Sequence, residues 1–270
     1  MTKALISVTG LDSTGIIARV ATKLSEMNIN ILDITQTILG GYFTMLIPEG
    51  WRVEVFGSYG NMGFRIYDPN TPGRQAFYYG ALAPFHKSEA SRKYLSYYDT
   101  TGGLIANGPV LTSATVGGIT DCWQYCIDYQ KRYEGKQLFP TMNNIRLSKV
   151  SSFQGPYSGY GPETVGYGTF NDENGNACTL GIAAVLVDLD FYGYYGGNWF
   201  YTCYGLMGVS SPSGEYKDNV LDLLTCVCSI QFSQDYINAS QYSEFPLLDN
   251  ESLRQNFLTV GNVIYNYSAQ

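Results

Sequence analysis

The chain has 270 residues, a net charge of −7 and a pI near 4.7, a length that accommodates one large domain or two ordinary ones. Hydrophobic residues make up 45%, enough for a real core, while charged residues fall to 14% against a usual share of about 25%, with 24 tyrosines and 30 glycines in their place. An acidic chain without a basic stripe repels nucleic-acid phosphates and anionic membrane surfaces, and no apolar run approaches the roughly 18 residues of a membrane span.

Ala4 to Thr9 is a short β-rich run, and Gly10 to Gly15 reads as a loop. Ile16, Ile17, Val20, Ala21, Leu24 and Met27 then recur at helical spacing, which predicts an amphipathic helix over 15–27. Ser13 or Thr14 is placed to cap it, because a hydroxyl accepts from free first-turn amides. Asn28 tolerates the left-handed conformation that ends a helix. Ile29 to Ile38 reads as a second strand, Gly40-Gly41 as a hairpin signal and Tyr42 to Ile47 as a third strand. Asp12 and Arg19 interrupt any hydrophobic region of a secretory signal, so the sequence as written reads as cytoplasmic.

Pro48-Glu-Gly-Trp51 breaks this pattern, and Tyr and Gly become more frequent. The boundary is placed at 47/48, giving residues 1–47, a second domain over 48–245 and a weakly specified tail over 246–270. Strands are expected over 51–56, 63–67 and 75–79, with Asp68 to Gly73 as a turn. Ser88 is expected to cap a helix to Tyr98, and residues 110–116 to be extended. A helix is expected over 120–133, with Trp123, Cys126, Ile127 and Tyr133 inward. A strand over 144–153 precedes a Gly-Tyr-rich loop over 155–168. Strands over 179–189 and 198–209 are read as partners joined by a hairpin at Tyr192 to Gly197. Tyr216 to Val227 is expected to be a helix, and Ser233 to cap a further helix to about Tyr242.

Several features of the first segment recur together: Ile6-Ser-Val-Thr-Gly10, Asp12, Gly15-Ile-Ile17, Asn28-Ile-Asn-Ile31, Asp33-Ile-Thr-Gln36-Thr37 and Tyr42-Phe-Thr-Met45. On these residues the segment resembles the ACT domain family, most closely the small stand-alone bacterial members related to glycine-cleavage regulators. The resemblance implies a non-enzymatic regulatory role, with a small-molecule ligand such as an amino acid bound near the first loop and a homodimer formed through the ACT-like sheet. Carried over residue by residue, it points to Gly10, Asp12, Gly15, Ile16, Asn30 and Ile31 as the ligand-proximal set. The bland alternative is that the glycines serve only the turn, and Asn28 and Asn30 only the helix exit. An ACT domain runs β-α-β-β-α-β, and here the second helix and fourth strand do not follow Ile47. The next region completes the sheet, a partner chain does, or the two parts were joined in frame from separate sources.

Pro48-Glu-Gly-Trp51, Gly63-Phe-Arg-Ile-Tyr-Asp-Pro69, Gln75-Ala-Phe-Tyr-Tyr79 and Leu224 to Phe232 resemble exported proteins of gut Firmicutes with the PsbP-like fold. That likeness implies an extracytoplasmic binding or accessory module, so residues 48–270 look exported. The fold class expected of the whole is α+β: a ferredoxin-like βαββ half-unit followed by an antiparallel sheet with helices packed on it.

The residues suited to catalysis are sparse. The one histidine, His86, reads as a surface or capping residue entering a helix, and a His-rich metal site is excluded. Cys122, Cys126, Cys226 and Cys228 lack a common zinc spacing, and the six cysteines are expected to be mostly free thiols in a cytosolic chain. Asp188 and Asp190 share a strand face, which fits an acid/base pair but fits better a strand end running into solvent. Asp172, Glu173 and Asn174 read as a hairpin turn. Tyr157, Tyr160, Tyr167, Tyr192, Tyr194, Tyr195 and Trp199 offer an aromatic surface for a sugar or peptide, with core packing as the duller reading. No phosphate-binding loop or dinucleotide fingerprint is present. No catalytic residue, cofactor or metal is therefore assigned.

Overall fold

The structure is a computed structural model that describes residues 37–39, 42–97, 108–111, 118–120, 141–189, 200–243 and 246–269. Strands and helices are both abundant, and among the described residues the named strands all pair antiparallel, so the fold class is α+β. In chain order the strands are β1 (Thr37–Leu39), β2 (Phe43–Met45), β3 (Arg52–Phe56), β4 (Gly63–Asp68), β5 (Thr71–His86), β6 (Asn143–Phe153), β7 (Glu163–Asn171), β8 (Ala177–Leu189), β9 (Phe200–Pro212) and β10 (Gln231–Phe232). The helices are α1 (Glu89–Ser96), α2 (Tyr216–Cys228), α3 (Gln234–Ser240) and α4 (Asn250–Ala269).

Seven strands form one sheet in the order β3-β4-β5-β9-β8-β7-β6. Successive side chains alternate between faces, and here both faces are apolar. Leu180, Ile182, Ala184 and Leu186 of β8 join Phe77, Tyr79, Cys203 and Leu206 on one face, against Leu111, Ile119 and Met142. Ala183 belongs with Phe64, Ile66, Met207 and Val209 on the other, which α2 and α4 cover. This double burial explains why β8 reads as an unbroken apolar run rather than an alternating one.

The two covering helices present apolar stripes. Tyr216, Val220, Leu223, Leu224 and Val227 of α2 are buried, as are Leu253, Phe257, Val260 and Ile264 of α4. Close approach needs small residues on the sheet. A Cβ at Gly181 would overlap the Tyr216 hydroxyl of α2, while within the sheet one at Gly208 would overlap the ring of its β5 neighbour Phe77. That hydroxyl shares a 2.9 Å hydrogen bond with Ser268 Oγ, tying α2 to the end of α4.

Several expectations are met with small shifts at the ends. The Ser88 cap is present, its Oγ accepting from Ser91 N at 3.1 Å. Ser233 Oγ accepts from Tyr236 N at 3.2 Å at the start of α3. β8 and β9 pair over nearly their whole length. Three expectations need correction. The loop read over 155–168 ends at residue 162, and β7 begins at Glu163, because Val165 and Phe170 need buried positions in the sheet. Residues 246–270 are not a weak tail: α4 runs 20 residues through the core. Asp249 caps it, its Oδ1 accepting from Ser252 N at 2.9 Å, and bonds from Ser252 hold that carboxyl below its ordinary pKa. His86 is neither a surface nor a capping residue. It ends β5, is fully buried, and bridges Val110 through two backbone bonds of 2.8 Å, to Pro109 O and from Leu111 N. The inward residues expected over 121–133, the Tyr192–Gly197 hairpin and the helix over 15–27 lie outside the described residues.

Phe257 is 3% exposed and meets Tyr78 edge-on at 4.8 Å. Phe257→Ala is expected to lower the unfolding free energy by about 3–5 kcal/mol in denaturant titrations. Tyr265→Ala, on the 40% exposed side of the same helix, should change it by under about 0.5 kcal/mol.

Candidate functional site

The first 36 residues lie outside the described residues, and with them Gly10, Asp12, Gly15, Ile16, Asn30 and Ile31. What the structure does show is how the end of that segment is held. β1 and β2 pair antiparallel in the register Thr37↔Met45, Ile38↔Thr44 and Leu39↔Phe43, as a hairpin near Gly40-Gly41 requires. The other edge of β2 does not join the seven-stranded sheet. It pairs with β10, placing Gln231 opposite Thr44 and Phe232 opposite Phe43.

β10 has only two residues, so its remaining backbone groups need other partners. Asn250 provides them: its Oδ1 accepts from Phe232 N and its Nδ2 donates to Phe232 O, both at 2.8 Å. One side chain thus imitates a neighbouring strand. Two further bonds of 2.8 Å flank the pairing, from Leu46 N to Ser229 Oγ and from Ser233 N to Tyr42 O. Phe43 and Met45 are buried in the same cluster as Phe232, Ile237 and the α2 core residues.

An aromatic stack closes the junction. The Tyr236 ring lies 4.9 Å from both Tyr42 and Tyr59, and 5.9 Å from Phe232. Its hydroxyl accepts from Tyr59 N at 2.8 Å. Tyr59 holds a φ of 52°, a left-handed conformation unusual for a tyrosine, and the ring contact and hydrogen bond together retain it.

The tyrosines read as one aromatic surface separate in the structure. Tyr160 is 70% exposed at a loop apex. Tyr157 turns inward to hydrogen-bond Asn256 and Tyr78, and burial pushes its phenol pKa up. Tyr167 meets Tyr216 edge-on at 5.9 Å. Tyr192, Tyr194, Tyr195 and Trp199 lie outside the described residues. Beside Tyr160 lies an open groove of about 430 Å³ lined by residues 152–154 and 158–163.

The Asp172 turn is as expected: Asp172 Oδ1 accepts from Asn174 N at 2.9 Å and from Asn176 N at 2.8 Å, and Gly175 takes a φ of 83°. Asp188 lies on β8 opposite Tyr201, and Asp190 lies outside the described residues, as do Cys122 and Cys126. Among the described residues, Cys178, Cys226 and Cys228 are free thiols, and no group of three or more His, Cys, Asp or Glu could hold a metal ion. Burial pushes the pKa values of Cys226 and Cys228 from 9.0 up to about 12, which keeps them as inert thiols.

None of this places a reacting centre in the described residues, and the β1–β2 hairpin leads directly back into the N-terminal segment.

Residues 2–48 match the ACT domain family. Over 47 residues the segment is 60% identical to a UPF0237 protein of Bifidobacterium longum, covering 17% of this chain and 52% of that protein. It is 59% identical over 44 residues to a UPF0237 protein of Corynebacterium diphtheriae (16% and 49%) and 53% identical over 45 residues to one of Listeria monocytogenes (17% and 51%). The chain spans about half the length of the curated relatives it matches. The ACT resemblance read from the sequence is therefore shown for this segment.

Sequence reasoning missed Asn250 and Tyr236. An asparagine before a helical stretch and a tyrosine among 24 carry no local signal, because their partners are 18 and 177 residues away. Asn250→Ala is expected to cost about 2 kcal/mol, since it leaves both Phe232 backbone groups without protein partners; equilibrium unfolding in urea measures it. The thiols predict an alkaline effect. Above pH 9 the unfolded chain loses thiol protons that native Cys226 and Cys228 keep up to about pH 12. Unfolding then releases protons, so stability should fall as pH rises through that window. A double Cys→Ala variant should show a shallower decline in urea titrations from pH 8 to 11 (roughly the thiol range).

Proposed function

We propose that this chain is a non-enzymatic regulatory protein that senses a small molecule, with an amino acid as the ligand of the N-terminal segment. The 47-residue similarity to the ACT domain and to UPF0237 proteins carries the reading. In this reading Gly10 and Gly15 bound a sharp bend before a helix. Free first-turn amides there favour an anionic group such as an amino-acid carboxylate. Asp12 offers a counter-charge to the ammonium group. Ile16, Asn30 and Ile31 line the remainder, and a second copy of the chain contacts the same sheet.

The domain arrangement belongs to the same proposal: a sensing unit over 1–47, a body over 48–245, and residues 246–270 folded onto that body. The β2–β10 pairing, the Asn250 amide and the Tyr236 stack support it as the route by which a ligand-dependent change in the first unit reaches α2, α3 and α4. A second reading, an extracytoplasmic accessory module of the PsbP-like type, draws on the antiparallel sheet of the body and on α2 directly preceding the short β10.

Thermal unfolding of the full chain in the presence of each amino acid tests the first reading. A binder at 100 times its Kd adds about 2.7 kcal/mol and should raise Tm by several degrees. Gly15→Val should abolish that rise while leaving the ligand-free Tm nearly unchanged. If no amino acid shifts Tm, the amino-acid reading is abandoned.

A further inference from the structure

We propose that the groove beside the β6–β7 connection binds a small organic ammonium ion, with Glu163 as its counter-charge and the Tyr160 ring as its apolar wall. The proposal does not rest on the sensing role proposed above.

Nine residues line the groove: Ser152, Phe153, Gln154, Ser158, Gly159, Tyr160, Gly161, Pro162 and Glu163. Glu163 is the one charged side chain among them, and it is only 2% exposed. Its carboxylate lies against Gly155, where a Cβ would crowd both oxygens. Ser158 Oγ donates to Oε2 at 2.6 Å, and Gly155 N in turn donates to Ser158 Oγ at 2.8 Å. Among the described residues no lysine or arginine pairs with Glu163. Ser158 is a neutral donor, so its hydrogen bond leaves the carboxylate charge itself to be met by a cation.

The walls narrow the class of partner. An anion would meet Glu163 unfavourably. A metal ion needs several oxygen or nitrogen ligands around it, and the groove has a single carboxylate. Phe153 and Tyr160 both line the same space, and an aromatic face attracts a cation through its quadrupole. An ammonium group with a short apolar body satisfies carboxylate and rings together, and Gln154 and Ser152 offer further polar contacts. The volume of about 430 Å³ lies within the range of small-molecule sites, roughly 300–1,000 Å³.

The loop is held in shape without a ligand. Tyr160 N donates to Tyr157 O at 2.9 Å, and Tyr157 is anchored inward on Asn256 and Tyr78. Gly161 packs so closely on the β8 backbone at Leu186 that a Cβ would overlap its carbonyl. A loop fixed this way keeps the ring and the carboxylate in place and lowers the ordering cost of binding.

The test is isothermal titration calorimetry of the full chain with n-butylammonium chloride, and with n-butanol as the neutral counterpart, at constant ionic strength. Saturable binding of butylammonium in the millimolar range and none of butanol is expected. Tyr160→Ala, at an exposed position that cannot disturb the core, should weaken binding about fivefold. Glu163→Gln should weaken it at least about tenfold, with circular dichroism checking its fold. Gly15→Val should bind as the unaltered chain does. Equal binding of butanol, unchanged affinity in Tyr160→Ala, or loss of binding in Gly15→Val would each overturn the proposal. The last outcome would place the ammonium ion in the N-terminal segment instead.

Discussion

A seven-stranded sheet with two apolar faces cannot stand in water, and most of the described structure follows from that constraint. β8 and β9 run through its centre, and their side chains are buried on both sides. Each face needs a cover. On one side α2 and α4 lie over Phe64, Ile66, Met207 and Val209. On the other, Leu111, Ile119 and Met142 contribute to a second core around Phe77 and Leu180. Helices can approach the sheet closely because glycines stand where the largest rings press down, as at Gly181 beneath Tyr216. The hydroxyl-to-hydroxyl bond between Tyr216 and Ser268 then keeps the one polar atom of that contact satisfied, as a buried polar group requires.

The same economy of polar groups shapes the junction with the N-terminal segment. β10 is too short to form a ladder of its own. The Asn250 amide completes it by bonding both backbone groups of Phe232. Three aromatic rings, Tyr42 just before β2, Tyr59 and Phe232 of β10, then meet around Tyr236 of α3. The ACT-like segment thereby ends in a hairpin whose second strand, β2, shares a core with the helical layer. Through β10 and Tyr236, β2 is thus tied to both the start of α4 and α3.

Local signals made much of this legible. Caps at Ser88 and Ser233, the Asp172 turn, the α2 stripe and the β8–β9 pairing all depend on neighbours close in sequence or on simple periodicity. The α4 helix was less legible, because Asn, Ser, Gly and Tyr dilute its apolar stripe, and what holds it in place is burial against a sheet built elsewhere in the chain. β7 was hidden for the opposite reason. Its Gly166 and Gly168 look like loop residues, but Gly168 is needed where the Arg146 backbone of β6 passes too closely for a Cβ. Of the candidate sites, the aromatic loop was visible as a composition bias. Which tyrosine faces outward was not, because Tyr157, Tyr160 and Tyr167 are alike in type and differ only in what packs beside them.

By itself, the sequence determined the α+β class, the order of most elements and the ACT character of residues 2–48, because hydrophobic period, caps and a dense local motif are written in short stretches of chain. Only the tertiary structure decided that β2 pairs with β10, that the final 20-residue helix belongs to the core, that His86 is buried, and that Glu163 shares a groove with Tyr160. The first three depend on residues brought together by burial in the assembled chain, which no window along it contains; the groove lies within residues 152–163, and there the fold decided that Glu163 is buried while Tyr160 is exposed.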